Sequence, residues 1–462
     1  MNLTKLPPGE AVPALLYAGF NQDASCFAVG SDAGFRIYST DPLKEKTRKE
    51  YGYSIVVESG ASATGRAQDE SGRLAPELNQ PGGIALVEML YRTNFLALVG
   101  GGKNPKFPPN KVILWNDAKG EVAAELEFRS EVKAIRWRRD RLIVVLLTKV
   151  YVYTFEAEPR RLHLFETIEN ERGLVALSPS PSILPSGASG TAVLAFLGRN
   201  KGQIQIADLA VGAARRGSTT PSETPSIPTP AVHIIQAHTS VISCLAISHS
   251  GHLLASASEK GTLVRVYEAR SSKLVNELRR GVDRANIYSI AFNLEETNLC
   301  VASDKGTIHI FTIGSGEAVG VINPSTSIPP SLSSPSRAHI PPISRTSSQS
   351  SLSSSTPTTT TPKPNRQSVL SSFAPYLPKY FSSEWSFAQF SLPMERRCIV
   401  AFLPSEGGER QTVVALCADG SYYKVSYDVR RGGECGRDSY HRFFRGLGLG
   451  GGKVVDGEWE ND

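Results

Sequence analysis

The sequence has no long apolar run, and this absence excludes one class of protein at the outset. The longest uninterrupted apolar run, residues 142–147, has only six residues. The most hydrophobic stretch, 84–99, is interrupted by Glu88, Arg92 and Asn94. A membrane-spanning helix needs about 20 mostly apolar residues, so none is expected. The opening MNLTKLPPGEAV also lacks the basic head and apolar centre of a signal peptide.

Paired cysteines, helical periodicity and a strong charge of one sign are missing as well. The six cysteines are scattered without a CxxC spacing, so we expect reduced core thiols in a cytosolic protein, with no metal site and no cofactor. No Ser-His-Asp order or paired-carboxylate cleft stands out, which makes an enzyme the least favoured class. The net charge of +6 permits an anionic partner without requiring one.

Two segments differ in composition from the rest of the chain. Residues 212–230 form a low-complexity loop, and residues 326–362 contain 27 Ser, Thr or Pro among 37 residues. Such sequence buries too little apolar surface to offset the entropy of ordering, so we expect disorder. No Asp or Glu occurs between Ala318 and Ser383. The longer insertion, 323–381, is therefore cationic, and its end, SVLSSFAPYLPKYF, turns aromatic and apolar.

The chain is instead rich in turn residues, with Gly 40 and Pro 30, and in a repeated pair of strands. An apolar strand, a turn with Gly or Lys and an alternating strand recur seven times, roughly every 40 to 50 residues. The units are FAVGSDAGFRIY, NKVILWND, LIVVLLTKVYVY, VLAFLGRNKGQIQIAD, LLASASEKGTLVRVYEA, LCVASDKGTIHIFTI and VVALCADGSYYKVSYD. Small twisted sheets bury their faces by stacking around an axis. We predict an all-β, seven-bladed WD40-like propeller with the long insertion in the sixth blade, and a pair of β-sandwiches as the alternative.

We expect the propeller to comprise residues 1–322 and 382–435, followed by a flexible tail, 436–462. Within it, Arg279 and Arg280 stand side by side at the end of a strand-like segment. Neighbouring side chains of an extended chain point in opposite directions, so the two arginines would serve two pockets. Guanidinium groups match phosphate oxygens. An isolated Arg-Arg pair is more often a solvated strand end, but in this chain both flanking blades offer hydroxyls and imidazoles at alternating positions.

LRRGVDRANIYSIAF, residues 278–292, resembles the signature of the PROPPINs, WD-repeat proteins that bind polyphosphoinositides and act in autophagy. Leu278 places the chain with the members that carry Leu-Arg-Arg-Gly. GGGKNPKFPPNKVILWND, residues 100–117, is similar to the blade-two motif of the same subgroup. The resemblance implies two headgroup pockets for phosphatidylinositol 3-phosphate and phosphatidylinositol 3,5-bisphosphate. The first would contain Arg279 with His238, Ser256, Ser258, Gly261, Thr262 and Arg265, and the second Arg280 with Ser303, Thr307 and His309.

The resemblance also implies that the long insertion contacts the bilayer, on cytoplasmic faces of pre-autophagosomal, endosomal or vacuolar membranes. The residues expected to do so are Val369, Leu370, Phe373, Tyr376, Leu377, Tyr380 and Phe381, because aromatic side chains favour the membrane interface. The autophagy lipid-transfer protein is the expected partner, through Asn104, Pro105, Lys106, Pro108 and Pro109. Two rival functions remain: a generic propeller scaffold without lipid binding and, less favoured, a nucleic-acid-binding propeller. We expect no nucleic-acid partner.

Overall fold

The computed structural model describes residues 15–51, 82–179, 192–209, 230–314, 365, 383–404 and 408–444. These residues form thirty strands in seven sheets of four or five strands each. Blade one contains β1 (Leu15–Phe20), β2 (Cys26–Ser31), β3 (Gly34–Ser39) and β4 (Lys44–Glu50). Blade two contains β5 (Ile84–Met89), β6 (Phe95–Gly100), β7 (Lys111–Asn116) and β8 (Glu121–Glu127).

The next two blades repeat the same antiparallel order. Blade three contains β9 (Ala134–Arg138), β10 (Arg141–Val145), β11 (Lys149–Thr154) and β12 (Arg161–Glu166). Blade four contains β13 (Val175–Leu177), β14 (Val193–Leu197), β15 (Gln203–Asp208) and β16 (Ala231–Gln236). The low-complexity segment lies between β15 and β16, and its residues 212–229 are outside the described part of the chain.

Among the last three blades, five and six each gain a short parallel fifth strand at the outer edge, whereas blade seven has four strands. Blade five contains β17 (Ile242–Ile247), β18 (Leu253–Ser258), β19 (Leu263–Glu268), β20 (Leu274–Arg279) and the short parallel β24 (Glu384–Trp385). Blade six contains β21 (Ile287–Phe292), β22 (Asn298–Ser303), β23 (Thr307–Thr312), β25 (Ala388–Ser391) and the parallel β29 (Gly433–Glu434). Blade seven contains β26 (Cys398–Phe402), β27 (Arg410–Cys417), β28 (Ser421–Asp428) and β30 (Gly436–Arg442).

The first strands of the seven blades make the fold a closed propeller. Each of them contacts the first strand of the next blade, and β26 contacts β1, so the ring is complete. The second strands are buried on both faces because a blade packs on each side. The repeats in the sequence correspond to the second and third strands of the blades, or in blade two to the third strand alone. The prediction of a seven-bladed propeller is therefore confirmed.

Blades one and seven close the ring through side chains. The described strands of each blade are consecutive in sequence apart from the short additions, so no described strand is exchanged between these two blades. Tyr38 donates a hydrogen bond to the Phe443 carbonyl (2.9 Å), and Tyr422 donates one to the Thr40 carbonyl (2.8 Å). Phe27 packs against both Tyr38 and Phe443. A small aromatic core thus joins blade one to blade seven.

One predicted boundary is wrong. The flexible tail was expected to start at residue 436, but β30 pairs with β28 as the outermost strand of blade seven, and Phe443 and Phe444 are buried. Outer strands bury little, so GRDSYHR carries almost no apolar signal. Only residues 445–462 lie outside the described part at this end. In the described ranges there is no helix with the length and apolarity needed to cross a bilayer.

Candidate functional site

The arginine pair lies at the end of β20, on the outer rim of blade five. Arg279 is the last residue of this strand and is opposite Leu263, while the backbone amide of Arg280 donates to the Thr262 carbonyl (3.0 Å). Both arginines are buried, with 3% and 7% of their surface exposed. Leu278 packs in the core between blades five and six, so Arg279 is directed to the other side of the strand, while Arg280 contacts the Gly261 carbonyl.

The side of blade five that carries Arg279 faces blade four. Strand register aligns Ser256 with Arg265, and Arg265 with Glu277, so that these residues share one face with Arg279. The Arg265 guanidinium donates to the Ala237 carbonyl from Nη1 (2.7 Å) and to Glu277 from Nε (2.9 Å). The structure therefore brings most of the predicted first site together on one polar face.

His238 completes this face from the connection between blades four and five. Its Nε2 lies 3.0 Å from Ser256 Oγ, and the ring is buried. Burial, followed by the charge of Arg265, lowers the pKa of His238 to about 4. The imidazole is thus neutral near pH 7. It takes up a proton only if an added negative charge offsets these two effects.

Arg280 lies on the other side, between blades five and six. Its guanidinium donates from Nε to the Gly261 carbonyl (3.1 Å) and from Nη2 to the Asp283 carbonyl. No carboxylate of the described residues lies within 4 Å of it, although Asp304 and Asp283 are near enough to act electrostatically. Burial lowers the pKa of Arg280, and these two carboxylates oppose that shift. Arg280 is thus a buried cation that donates to backbone carbonyls.

Three predicted residues of the second site line the same inter-blade space. Ser303, Thr307 and His309 lie on the face of blade six that packs on blade five, whereas Ala302 and Ile308 pack toward blade seven. Nδ1 of His309 is buried and has no hydrogen-bond partner among the described residues. Burial and the charge of Arg280 lower the pKa of His309 to about 4. This space therefore contains a cation and an unsatisfied polar atom.

The backbone conformation at position 261 requires glycine. It adopts φ +62°, and an added Cβ would lie 1.8 Å from the Ala285 carbonyl oxygen. Its own carbonyl accepts from Arg280, so the structure joins Gly261 to the second arginine, whereas the sequence grouped it with the first. Thr262 contacts Arg280 through its carbonyl in the same way. The turn before β19 thus orients Arg280 through main-chain atoms.

Several residues of this region were missed by the sequence reasoning. Gln389 pairs with His309 and Ser391 with Thr307 across β23 and β25, which extends the polar face of blade six to its edge. Ser383 accepts a hydrogen bond from Nε of Arg279 (2.7 Å). Ser383 follows the long insertion, 104 positions after Arg279, and only the return of the chain beside β20 brings them together.

The proposed membrane-contacting residues, Val369, Leu370, Phe373, Tyr376, Leu377, Tyr380 and Phe381, lie outside the described residues. The structure does describe the residue on each side of that segment. These are Asn365, which is buried, and Ser383 beside Arg279. Asn365 contacts Thr312 at the end of β23, and Ser383 contacts Arg279 at the end of β20, so the described residues on either side of the segment lie at the outer edges of blades five and six.

The loop predicted to bind a protein partner joins β6 and β7 in blade two. Asn104, Pro105, Lys106, Pro108 and Pro109 are all exposed. The backbone beneath them is fixed: Gly83 N donates to the Asn104 carbonyl (2.7 Å), and Lys106 N donates to the Gly83 carbonyl (3.0 Å). The loop thus presents its prolines to solvent on a rigid support.

A cleft of about 440 Å³ lies beside this loop. Asp32 of blade one, Lys103 and Pro109 of the loop, and Glu131 before blade three line it, together with small and aliphatic side chains. Gly100 allows the close approach of the loop, since an added Cβ would lie 1.8 Å from the Phe107 carbonyl oxygen. Within the described ranges there is no group of three or more His, Cys, Asp or Glu residues that could hold a metal ion.

Comparison with known proteins identifies relatives along most of the chain. A model of the PROPPIN family matches residues 213–329, which include both arginines. "SVP1-like protein 2" of Pichia angusta is 38% identical over 301 residues, covering 65% of this chain and 70% of that protein. "Autophagy-related protein 18e" of Arabidopsis thaliana is 31% identical over 445 residues, covering 96% and 91%. A chain in a solved complex of KlAtg21 with the coiled coil of AgAtg16 is 21% identical to this one, and the match covers 93% of this chain and all of that chain. The TM-score of 0.56 shows that the two chains share the fold.

Proposed function

The chain belongs to the PROPPIN family, and we propose that it is a non-enzymatic adaptor that binds phosphoinositide headgroups on membranes in autophagy. Its ligands are phosphatidylinositol 3-phosphate and phosphatidylinositol 3,5-bisphosphate. The relative named as an autophagy-related protein supports the cellular process. The Leu-Arg-Arg-Gly sequence at 278–281 supports assignment to the subgroup with that motif.

The proposal rests on the burial of Arg280 and on the groups that its guanidinium contacts. A buried guanidinium without an adjacent carboxylate is unfavourable unless an anion completes its contacts. A phosphate monoester supplies two or three oxygens in the geometry that a guanidinium fork matches. Ser303, Thr307 and the unsatisfied His309 supply further hydrogen-bonding groups on the facing blade. A phosphorylated inositol ring thus fits the chemistry of this space.

The other pocket of the proposal, the predicted first site, lies on the opposite side of the rim, around Arg279. His238, Ser256, Ser258 and Arg265 share or adjoin this face, and Arg279 is directed to the same side. Each pocket alone binds weakly in this account. Two pockets on one vesicle surface bind more tightly, because the second contact forms at high effective concentration.

Membrane attachment is completed by the apolar segment between Asn365 and Ser383. Its aromatic residues enter the bilayer interface next to the bound headgroups, while Lys379 and Arg366 favour an anionic surface by about 1 kcal/mol each. The protein then resides peripherally on pre-autophagosomal, endosomal or vacuolar membranes. The propeller leaves blades one to three available for protein partners.

For the protein partner we propose the exposed loop at 104–109 and the cleft beside it. A proline- and lysine-bearing loop on a fixed backbone can be recognised without an ordering penalty. The partner would be the autophagy lipid-transfer protein. Replacing Pro105 and Pro108 by Ser should abolish its capture on affinity resin and leave vesicle binding intact. Unchanged capture would place the contact elsewhere.

Soluble headgroup binding tests the proposed function most simply. Titration of inositol 1,3-bisphosphate by calorimetry should show two sites on the wild-type protein. Arg280→Gln should remove one of them, because loss of a charged hydrogen-bonding group weakens binding by about 1.5–3 kcal/mol, or about 10- to 150-fold. Arg199→Gln, an exposed arginine of blade four, is the matched control and should bind like wild type. No binding by the wild type would favour a scaffold without a lipid role.

A further inference from the structure

The loop that follows the arginine pair, residues 281–284, exposes an apolar side chain at its tip. Val282 is 61% exposed, which is among the highest values for a large hydrophobic residue in the described part of the chain. Single exposed apolar residues are common on protein surfaces, so exposure alone assigns no role to Val282. What distinguishes Val282 is its position two residues after Arg280, at the outer rim of blade five.

The loop is fixed against the proposed headgroup pocket at two points. Nη2 of Arg280 donates to the Asp283 carbonyl, so the residue after Val282 contacts the guanidinium directly. At the end of the loop, Ala285 N donates to the Lys260 carbonyl (3.1 Å) in the turn before β19. Val282 is therefore presented on a fixed backbone, and a contact through it needs little ordering of the chain.

The charges of the loop do not favour an anionic surface. The charged residues of the loop and of the turn beside it are Glu259, Lys260, Asp283 and Arg284, two of each sign. Nη2 of Arg284 also lies 4.0 Å from Glu259 Oε2. Any attraction of this loop to a membrane therefore comes from the apolar surface of Val282, which gains free energy by leaving water.

We propose that Val282 is a membrane-contacting residue that enters the bilayer interface when Arg280 binds a phosphoinositide headgroup. This inference rests on the proposed function. A headgroup stays attached to its membrane, so the surface next to the pocket that receives it lies against the bilayer. The contact of Val282 then adds to headgroup binding on the same vesicle surface. It is separate from the contact proposed for residues 369–381 and does not depend on it.

Substitution of Val282 in two directions tests the proposal. On phosphatidylcholine vesicles containing phosphatidylinositol 3-phosphate, Val282→Ser should raise Kd about fivefold, and Val282→Trp should lower it. With soluble inositol 1,3-bisphosphate, Kd should be unchanged in both variants, because Val282 contacts the bilayer and not the headgroup. The ratio of vesicle Kd between Val282→Ser and wild type should persist at high salt, since salt screens charges and not apolar contacts.

Leu294 provides the matched control. It is 56% exposed, close to the value for Val282. It follows β21, the first strand of blade six, and therefore lies near the propeller axis, whereas Val282 follows β20 at the rim. Leu294→Ser should bind both the vesicles and the soluble headgroup as wild type does.

A fluorescent probe locates the contact directly. All six native cysteines are buried, so a cysteine introduced at an exposed position can be labelled selectively. Nitrobenzoxadiazole on Val282→Cys should brighten and shift to the blue when the protein floats with phosphatidylinositol 3-phosphate vesicles, whereas the same probe on Leu294→Cys should not change. Unchanged emission from position 282 on bound protein, or equal vesicle Kd for Val282→Ser and wild type, overturns this proposal and leaves the proposed function intact. If the wild type binds neither headgroup nor vesicles, the proposed function fails and this proposal fails with it.

Discussion

The two buried histidines of the site should make the stability of the propeller depend on pH. Burial, with a nearby arginine in each case, lowers the pKa of His238 and of His309 to about 4. The ordinary value is about 6.5. In the unfolded chain both rings take up protons below that value, whereas in the folded protein they stay neutral down to pH 4. Stability is therefore fully present above about pH 6.5 and is lost as pH falls from there toward 4.

The magnitude follows from these two pKa values. A shift of one pKa unit corresponds to about 1.4 kcal/mol. Between pH 7.0 and pH 5.5 each histidine therefore lowers the free energy of unfolding by up to about 1.2 kcal/mol, and the two together by up to about 2.5 kcal/mol. That is a large part of the 5–15 kcal/mol typical of folded proteins.

Urea unfolding at the two pH values, followed by the fluorescence of the four tryptophans, measures this loss. His238→Gln and His309→Gln should each reduce the difference between pH 7.0 and pH 5.5 by about 1.2 kcal/mol. His233→Gln, on the exposed face of β16, is the control and should leave it unchanged. If both site variants lose as much stability on acidification as wild type, the neutral buried histidines are not the cause and the reasoning is refuted.

Three further outcomes are expected. Headgroup affinity should rise between pH 7.0 and pH 5.5, since a bound phosphate favours the protonated imidazole, and His309→Gln should reduce that rise in calorimetry. In urea unfolding, Gly261→Ala should lower the free energy of unfolding by more than Gly120→Ala, which should lower it by ~1 kcal/mol. Both glycines have positive φ, but only an alanine at 261 would clash with the Ala285 carbonyl. Equal losses in the two variants would contradict this. Phe443→Ala should cost about 3–5 kcal/mol by opening the junction of blades one and seven, and a loss below about 1 kcal/mol would show that the junction does not depend on it.

The blade repeat was predictable because of where its strands lie. Second strands such as VLAFL are buried on both faces and form short apolar runs, while third strands such as TIHIFT alternate. Outer strands are half exposed, and KEKTRKE of β4 alternates in exposure but contains no apolar residue. β30 is also an outer strand with little apolar sequence, and for this reason the predicted propeller ended too early, at residue 435.

The candidate site was predictable in its residue types and only partly in its contacts. Alternation placed Ser303, Thr307 and His309 on one face, and the register of β22 and β23 agrees. Contacts made by backbone atoms, such as Gly261 to Arg280, leave no signal in side-chain chemistry. Asn365 was not predictable either, because it lies at the edge of low-complexity sequence and its partner Thr312 is 53 residues away.

Flotation of the full chain with vesicles tests the central claim most directly. The vesicles contain phosphatidylinositol, phosphatidylinositol 3-phosphate or phosphatidylinositol 3,5-bisphosphate in phosphatidylcholine, and wild type is compared with the double variant Arg279→Thr, Arg280→Thr. The account predicts that wild type floats with both phosphorylated lipids and not with phosphatidylinositol, and that the double variant, folded by its thermal midpoint, floats with none. Equal flotation of the two proteins, or flotation of wild type with all three lipids alike, would contradict it.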